Sequence, residues 1–186
     1  VETGRPDDAV AAMREALRYS PGDLEIQTIA AQILLLARRY EEADELLRDV
    51  VARNPGSLDG YRALENLANA RGDVEEAITF RMEQINRRPL DSGRAEDRRR
   101  LRQLTQEDPA NYWQYRLEKI LEARDRGDPY SKGELAQILV ATEDLDGAID
   151  VLETWVPADG GLVLLGSNPA YDPLRDDPRF QALLAR

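Results

Sequence analysis

The chain has 186 residues, of which 42% are hydrophobic and 33% are charged, and its formal net charge is -11. This composition is typical of a globular protein, and no apolar run approaches the roughly 20 residues that cross a bilayer, so we expect no membrane partner. Cysteine and histidine are both absent, which excludes disulfides, thiolate nucleophiles, imidazole bases and the usual zinc sites; we therefore expect no catalytic residue, no metal and no cofactor.

Residues of the same type recur at an offset of 34 through the first half of the chain. The repeated alanines and prolines are Ala9, Ala43 and Ala77, and Pro21, Pro55 and Pro89. An acidic pair precedes each alanine, as expected in the first turn of a helix, where the macrodipole stabilises negative charge. The small alanine lets a neighbouring helix approach closely, and the proline ends the helix. This period predicts a repeated structural unit.

The first half of each unit is also amphipathic, with apolar residues at helical spacing in residues 24–38 and 58–71. Arg38-Arg39 and Gly72-Asp73 stand where a tight turn would join the two helices of a unit. We therefore predict two full helix-turn-helix units, at 24–57 and 58–91, after the second half of an earlier unit, so that residues 1–91 form one array.

The repeat weakens after Asp91 but is still recognisable. Residues 92–128 are predicted to form a longer, degenerate helical pair, and residues 129–161 a further unit with Ala148 at the alanine position. Residues 162–186 are expected to form a capping tail, because a helical repeat must cover its last apolar face. The side chains expected to pack on the last unit are Tyr171, Leu174, Phe180, Leu183 and Leu184.

Two segments carry the clearest family likeness: Tyr40-Glu41-Glu42-Ala43 followed by Pro55, and Gly72-Asp73-Val74-Glu75-Glu76-Ala77 followed by Pro89. They resemble the tetratricopeptide repeat family. The resemblance implies an all-α fold, in which helical hairpins form a solenoid wound as a right-handed superhelix. It also implies that the protein is not an enzyme and that it binds other proteins. Because the first residues match only half a unit, the array is expected to continue upstream. The tail resembles the C-terminal tetratricopeptide region of bacterial multidomain signalling proteins.

In this family the first helix of each unit lines a concave groove, and some members hold the terminal carboxylate of a peptide with a basic residue and an asparagine four positions later. Arg62 and Asn66 match these two positions, whereas Ile29 and Asp59 depart from the pattern, so a complete carboxylate clamp is not predicted. The candidate partner-binding residues are Thr28, Gln32, Asp59, Arg62, Asn66 and Asn69. The alternative is that Arg62 and Asn66 are ordinary surface residues that pair with Asp59 or with water.

Other motifs carry no chemistry. The segment Gly161 to Ser167 has the glycine spacing of a phosphate-binding loop but lacks its lysine, and is predicted to be a buried strand-like or irregular connector. Asp144-Leu145-Asp146-Gly147 lacks the remaining ligands of a calcium loop, and is predicted to be a turn and a helix N-terminus. The arginines between 94 and 102 are interleaved with acidic residues, and the net negative charge repels phosphates, so no nucleic-acid partner is expected.

The sequence therefore predicts a protein-interaction scaffold that binds a peptide, a helix, a partner domain or a second copy of itself in the groove. The alternative is an intramolecular regulatory or sensor arm of a bacterial transcription regulator, kinase or cyclase, in which the partner is another domain of the same polypeptide. A cytoplasmic location is expected, although a chain without cysteine also suits the periplasm.

Overall fold

The computed structural model describes residues 6–88, 92–155 and 165–185, and the regular structure of these residues is helical, without a strand. Residues 161–164 of the predicted connector lie outside the described residues, as does Pro89. Residues 165–167 are helical, so a strand-like or irregular conformation is wrong for this part of the connector. The chain divides into two compact units, residues 5–110 and residues 111–186.

The described residues of the first unit form six α-helices, and a short 3-10 helix, Pro109–Asn111, follows them. The six α-helices are α1 Pro6–Tyr19, α2 Leu24–Leu36, α3 Tyr40–Arg53, α4 Leu58–Arg71, α5 Val74–Asn86 and α6 Ser92–Glu107. Each helix from α1 to α5 packs against the helix that follows it along the chain. Helices α2 and α3 form one hairpin and α4 and α5 a second one, and α2 also contacts α4. This confirms the predicted fold class, an all-α arrangement of consecutive packed hairpins.

Side-chain caps begin three of these helices where the sequence supplies a short polar residue. Asp23 accepts hydrogen bonds from two backbone N–H groups of α2, at 2.9 and 3.1 Å. Ser57 and Asp73 each accept one such bond at 3.0 Å, from α4 and α5. These side chains satisfy backbone donors that a helix leaves unpaired at its start. Helix α3 begins at the position equivalent to α5 without such a cap, since its N-cap residue is Arg39.

The repeated alanines do not all have the same surroundings. Ala43 and Ala77 are completely buried, as expected of a small residue at a close helix contact. Ala9 on α1 is exposed, so its packing role is not seen in the described residues and stays a prediction.

Two ion pairs recur with the repeat and tie successive second helices together. Arg14 on α1 reaches Glu42 on α3 at 3.2 Å, and Arg48 on α3 reaches Glu76 on α5 at 2.5 Å, both across 28 residues of sequence. Arg48 also bonds Asp44 at 2.5 Å. Its hydrogen bond to Asp44, with a smaller contribution from Glu76, raises the pKa of Arg48. Each exposed pair adds little to stability by itself. The two pairs join equivalent positions of neighbouring hairpins.

A second repeated contact holds the end of each second helix against the preceding first helix. Arg53 donates to Gln27, and Arg87, 34 residues later, donates to the Tyr61 hydroxyl at 2.7 Å. The Arg87 guanidinium also lies 3.9 Å from the centre of the Tyr61 ring, a cation–π contact. The two arginines therefore occupy equivalent positions and perform the same packing task with different partners.

A buried polar cluster replaces part of the apolar core between α4 and α5. Glu65 on α4 is 1% exposed; it accepts a 2.6 Å hydrogen bond from Gln84 and lies 3.5 Å from the Arg81 guanidinium. The positions 34 residues earlier are Ala31, Leu47 and Val50, all 1% exposed. One hairpin thus has three polar residues where its neighbour has three apolar ones.

The turn between α4 and α5 depends on one glycine. Gly72 has φ 76°, a left-handed conformation that costs other residues roughly 1 to 2 kcal/mol. We expect Gly72→Ala to lower the free energy of unfolding by about 1 kcal/mol, measured by urea unfolding. Gly22→Ala is the matched control: a methyl group there meets no atom within 4 Å, so its stability should be unchanged or slightly higher. Equal losses at both positions would contradict this explanation.

In the described residues of the second unit, residues 165–167 are helical, and four longer α-helices and a 3-10 helix are defined. They are α7 Tyr112–Asp125, α8 Lys132–Ala141, α9 Leu145–Thr154, a 3-10 helix at Pro169–Leu174 and α10 Pro178–Leu184. Helices α8 and α9 form a hairpin, and α7 packs against α8 through Ile120, Leu135 and Ile138. As predicted, Asp144 is a turn residue at a helix start: it caps α9 by accepting a 3.0 Å bond from Gly147.

The tail packs on the α8–α9 hairpin. Its apolar side chains share one buried cluster with residues of that hairpin, among them Tyr171, Leu174, Phe180, Leu183, Ala136, Ala148 and Leu152. The packing role predicted for these tail residues is confirmed, whereas the boundaries of the segment stay a prediction. Tyr171 donates to the Gly133 carbonyl at 3.1 Å, and burial raises the pKa of Tyr171 to about 12, so the hydroxyl stays a donor over the physiological pH range.

Two further contacts fix this packing. Gly133 faces the Trp155 ring so closely that an added methyl group would lie 2.9 Å from a ring carbon, which requires glycine at the start of α8. Arg179 on α10 bonds Glu153 at 3.0 Å and also pairs with Asp150 on α9. These hydrogen bonds raise the pKa of Arg179, so α10 is tied to α9 by charge as well as by apolar packing.

Candidate partner-binding face

The candidate residues lie on α2 and α4, the first helices of the two hairpins. The opposite sides of these helices are buried, through Ala30 and Leu34 on α2 and Leu64 and Leu67 on α4. Because side chains three or four positions apart share a helix face, the remaining positions form a polar outer face. The candidate partner-binding face is defined here by Gln32, Asp59, Arg62 and Asn66, all of which are exposed.

On α4 the structure brings three of the candidates onto one stripe. Arg62 donates to Asp59 at 2.6 Å, and the two side chains are 63% and 73% exposed. Asn66 lies one turn beyond Arg62 and is also exposed. A solvent-exposed ion pair is worth only about 0–1 kcal/mol, so a carboxylate of another molecule can replace Asp59 at little cost. The stripe therefore offers a cation and an amide to an incoming chain.

Asn69 lies at the edge of this stripe and is only half-buried. Its side-chain oxygen is buried and accepts no hydrogen bond. An amide oxygen has two lone pairs, and leaving a buried acceptor unpaired costs about 1–3 kcal/mol. Because this oxygen is buried, it is not accessible to a bound molecule in this conformation.

The two candidates on α2 differ from each other. Gln32 is exposed and occupies the position of Asn66 one repeat earlier. Thr28 is half-buried, and its hydroxyl donates to the Leu24 carbonyl of its own helix at 2.7 Å. Gln32 therefore extends the stripe of α4, whereas the donor of Thr28 is already used. Next to Thr28, Ile29 is 50% exposed. It departs from the carboxylate-clamp pattern, but it can add an apolar contact to the face.

An open depression lies elsewhere in the first unit, at the α4–α5 turn. It is lined by Arg71, Gly72, Asp73, Val74, Glu75 and Pro109. The carboxylates of Asp73 and Glu75 stand at the N-terminus of α5, where they stabilise the helix. This depression does not include any residue of the candidate partner-binding face.

Neither a metal centre nor a membrane span is found in the described ranges. Within residues 6–88, 92–155 and 165–185, no three carboxylates are placed so that they could hold a metal ion. In the same part of the chain, no helix combines the length and the apolar character needed to cross a bilayer.

Comparison with known proteins agrees with this architecture. Residues 1–68 match a family model described as a tetratricopeptide repeat. A stretch of 89 residues, 48% of the chain, is 25% identical to human protein O-mannosyl-transferase TMTC1 and spans 10% of that protein. No solved structure gives a significant match. Tetratricopeptide repeats generally mediate protein–protein interaction and are generally non-catalytic, and the chain covers too little of the transferase to inherit its activity.

Proposed function

We propose that this protein is a non-catalytic interaction scaffold that binds a segment of a partner protein across the candidate partner-binding face. The observation that carries the proposal is the exposed stripe of Asp59, Arg62 and Asn66 on α4, which Gln32 extends on the equivalent helix of the preceding hairpin. The rest of each helix is committed to packing, so this face has no structural task in the described residues. We propose the cytoplasm as its compartment; the absence of cysteine does not distinguish it from the periplasm.

The side chains of the face suit an extended peptide or a polar helix. Amide side chains both donate and accept, so Gln32 and Asn66 can bond to the N–H and C=O groups of a peptide backbone. Arg62 can form a bidentate bond with a carboxylate in place of Asp59. Ile29, which is 50% exposed, supplies an apolar contact. This set favours recognition of a backbone with a carboxylate close to Arg62.

The proposal is tested by selecting peptides on the immobilised protein from a phage library of random peptides with free C-termini. The affinity of the best peptide is then measured by fluorescence polarisation. We expect Arg62→Ala with Asn66→Ala to weaken binding roughly ten-fold or more, because two polar contacts are lost. The matched control changes the same residue types at exposed positions of other helices, Arg18→Ala with Asn86→Ala, and should bind like wild type.

Equal affinity of both double variants would contradict the proposal. Far-ultraviolet circular dichroism checks that each variant keeps its helices. If no peptide is selected, sedimentation analysis of the protein alone asks whether the face is occupied by a second copy. Binding only to another domain of the full-length polypeptide would favour the alternative, an intramolecular regulatory arm.

A further inference from the structure

Helix α1 has an apolar side that stays exposed in the described part of the chain. Ala9, Ala12, Ala16 and Tyr19 follow one another at intervals of three or four positions, so they lie on one side of the helix. All four are exposed, and Tyr19 is 81% exposed. The buried residues of α1 lie beside them, and α1 packs against α2. Helix α1 therefore has more apolar surface than this packing uses.

The neighbouring side of α2 is open in the same way. Ile29 is 50% exposed and Ile33 is half-buried, whereas their equivalents on α4, Ala63 and Leu67, are 5% and 1% exposed. On α4 these two residues share a side with Gly60, which lies close to α3 of the preceding hairpin. The open sides of α1 and α2 together are called the N-terminal slot, and it is formed by Ala9, Ala12, Ala16, Tyr19, Ile29 and Ile33.

The later repeats show what kind of element covers these positions. The equivalents of Ala9 on α3 and α5 are completely buried, and Val50, the equivalent of Ala16, is 1% exposed. The first helix α2 packs on both α3 and α4. On α5 the equivalent of Ala16 is Gln84, which bonds to Glu65 of the first helix α4 at 2.6 Å. In the later repeats a first helix therefore occupies the place of the N-terminal slot.

Polar contacts of the later repeats point to the same kind of occupant. Asp49 on α3 accepts a 3.3 Å bond from Gln27 of α2, and Arg53 donates to the same glutamine. The equivalents on α1 are Glu15 and Tyr19. Both are exposed, and neither side chain forms a hydrogen bond or ion pair with another described residue. The slot thus offers an incoming helix a carboxylate as well as an apolar surface.

We propose that the N-terminal slot binds an amphipathic helix of a partner protein, in the way that α2 packs on α3 and α4. An apolar helix face laid into a groove is a common mode of recognition. The apolar side chains of the partner are expected to be larger than those of α2, because α1 has alanine at 12 and 16, where α3 has leucine and valine. Burial of these side chains with Tyr19 and Ile29 provides the driving force.

Charge favours a partner helix with basic residues over a second copy of this chain. Glu15 and Glu25 are exposed on α1 and α2 beside the slot, and the net charge of the chain is -11, so a basic residue at the position of Gln27 is complementary. In a second copy, the helices with the pattern of a first helix, α2 and α4, are already packed in their own hairpins. Ile29 borders the candidate partner-binding face, so the variants below are placed on α1.

The probe is a fluorescein-labelled peptide that copies residues 57–72, with Tyr61→Arg and Glu65→Leu. A hydrocarbon staple between positions 62 and 66 holds it helical, because an isolated helix of this length is marginal in water. Position 61 is equivalent to Gln27, so its arginine faces Glu15. Position 65 contacts the equivalent of Ala16 on α5, so its leucine fills the space beside that alanine.

Fluorescence polarisation measures the affinity of this peptide. We expect wild type to bind it and Ala12→Lys with Ala16→Lys to weaken binding roughly ten-fold or more, because two charged side chains then occupy the apolar slot. Both alanines are exposed, so the fold is kept. The matched control, Ala11→Lys with Ala52→Lys, makes the same change in net charge at exposed alanines outside the slot and should weaken binding by no more than about two-fold.

A charge exchange tests the orientation of the bound helix. Glu15→Arg is expected to weaken binding of the arginine peptide about two- to five-fold, the usual effect of an exposed ion pair. A second peptide with Tyr61→Glu should bind Glu15→Arg better than it binds wild type. If both peptides bind wild type and Glu15→Arg alike, the helix does not lie as α2 does, and the proposed docking is wrong.

Four other results would overturn the proposal. Absence of binding to wild type, or equal weakening by both lysine variants, would show that the slot does not hold the peptide. Loss of binding in Arg62→Ala with Asn66→Ala would place the peptide on the candidate partner-binding face. A wild-type dimer in sedimentation analysis that Ala12→Lys with Ala16→Lys dissociates would assign the slot to a second copy. Absence of binding to the full-length polypeptide would assign it to a segment of the same chain. None of these results affects the test of the function proposed for α4.

Discussion

Replacing Glu65 by alanine is expected to lower the free energy of unfolding by about 1–3 kcal/mol, because it leaves the buried amide of Gln84 without its acceptor. The Glu65 side chain is 2% exposed and lies 3.5 Å from the guanidinium of Arg81, whose side chain is 26% exposed. It also accepts the 2.6 Å bond from Gln84. Gln84 is 6% exposed, so its amide cannot turn to water, whereas Arg81 can. Urea unfolding followed by far-ultraviolet circular dichroism measures the loss.

The neighbouring hairpin provides the control for this prediction. The triple variant Glu65→Ala, Arg81→Leu, Gln84→Val copies the buried residues found 34 positions earlier, and thus replaces the whole polar cluster by an apolar set that packs in the same fold. Such replacements are often neutral or stabilising by about 1–4 kcal/mol. If Glu65→Ala alone lowers the free energy of unfolding less than the triple variant does, the three polar residues do not depend on one another, and this explanation is contradicted.

Phe180→Ala is expected to cost the second unit about 3–5 kcal/mol, the usual loss for a buried phenylalanine. Phe180 is completely buried, shares the cluster on the α8–α9 hairpin and lies 6.2 Å from the Tyr171 ring, centre to centre. Both tryptophans, Trp113 and Trp155, belong to residues 111–186. Urea unfolding followed by tryptophan fluorescence therefore reports on this unit.

The control for Phe180→Ala is Tyr130→Ala in the same unit. Tyr130 is 37% exposed, and substitutions at exposed positions usually change stability by no more than about 0.5 kcal/mol. An unchanged tryptophan transition in Phe180→Ala would show that the tail does not stabilise the hairpin and would contradict its role as a cap.

Much of the fold was predictable because the 34-residue period combines several independent signals. An acidic pair, a small alanine and a helix-ending proline recur together in each second helix, so local sequence indicates where these helices begin and end. The turns at Arg38 and Gly72 were located in this way, and both residues have positive φ, 60° and 76°. Ala9 shows the limit: it has the same local sequence as Ala43 and Ala77, but burial depends on what lies opposite, which local sequence does not contain.

The sequence also contained signals that were not used. The buried cluster of Glu65, Arg81 and Gln84 occupies positions that are apolar in the preceding repeat, so aligning the two repeats would have identified it. The partners of Arg48 and Arg87 could have been found in the same way, since Arg14 and Arg53 stand 34 residues before them.

For the candidate partner-binding face, helical periodicity predicts which residues share a side, and the structure places Asp59, Arg62 and Asn66 there. Helical periodicity does not predict which hydrogen bonds each polar side chain already forms. The hydroxyl of Thr28 is bonded to its own helix, and the Asn69 oxygen has no hydrogen bond. These differences depend on side-chain rotamers and on neighbouring helices, which a spacing rule does not contain.

The central claim is that α4 presents a partner-binding face. The most direct test immobilises three baits, exposes them to host lysate, and quantifies the retained proteins by mass spectrometry. The baits are the wild-type protein, Arg62→Ala with Asn66→Ala, and the control Arg18→Ala with Asn86→Ala. We predict a partner that is retained by wild type and control and lost from the first variant. A partner retained equally by all three baits, or no partner retained by wild type, would contradict the claim.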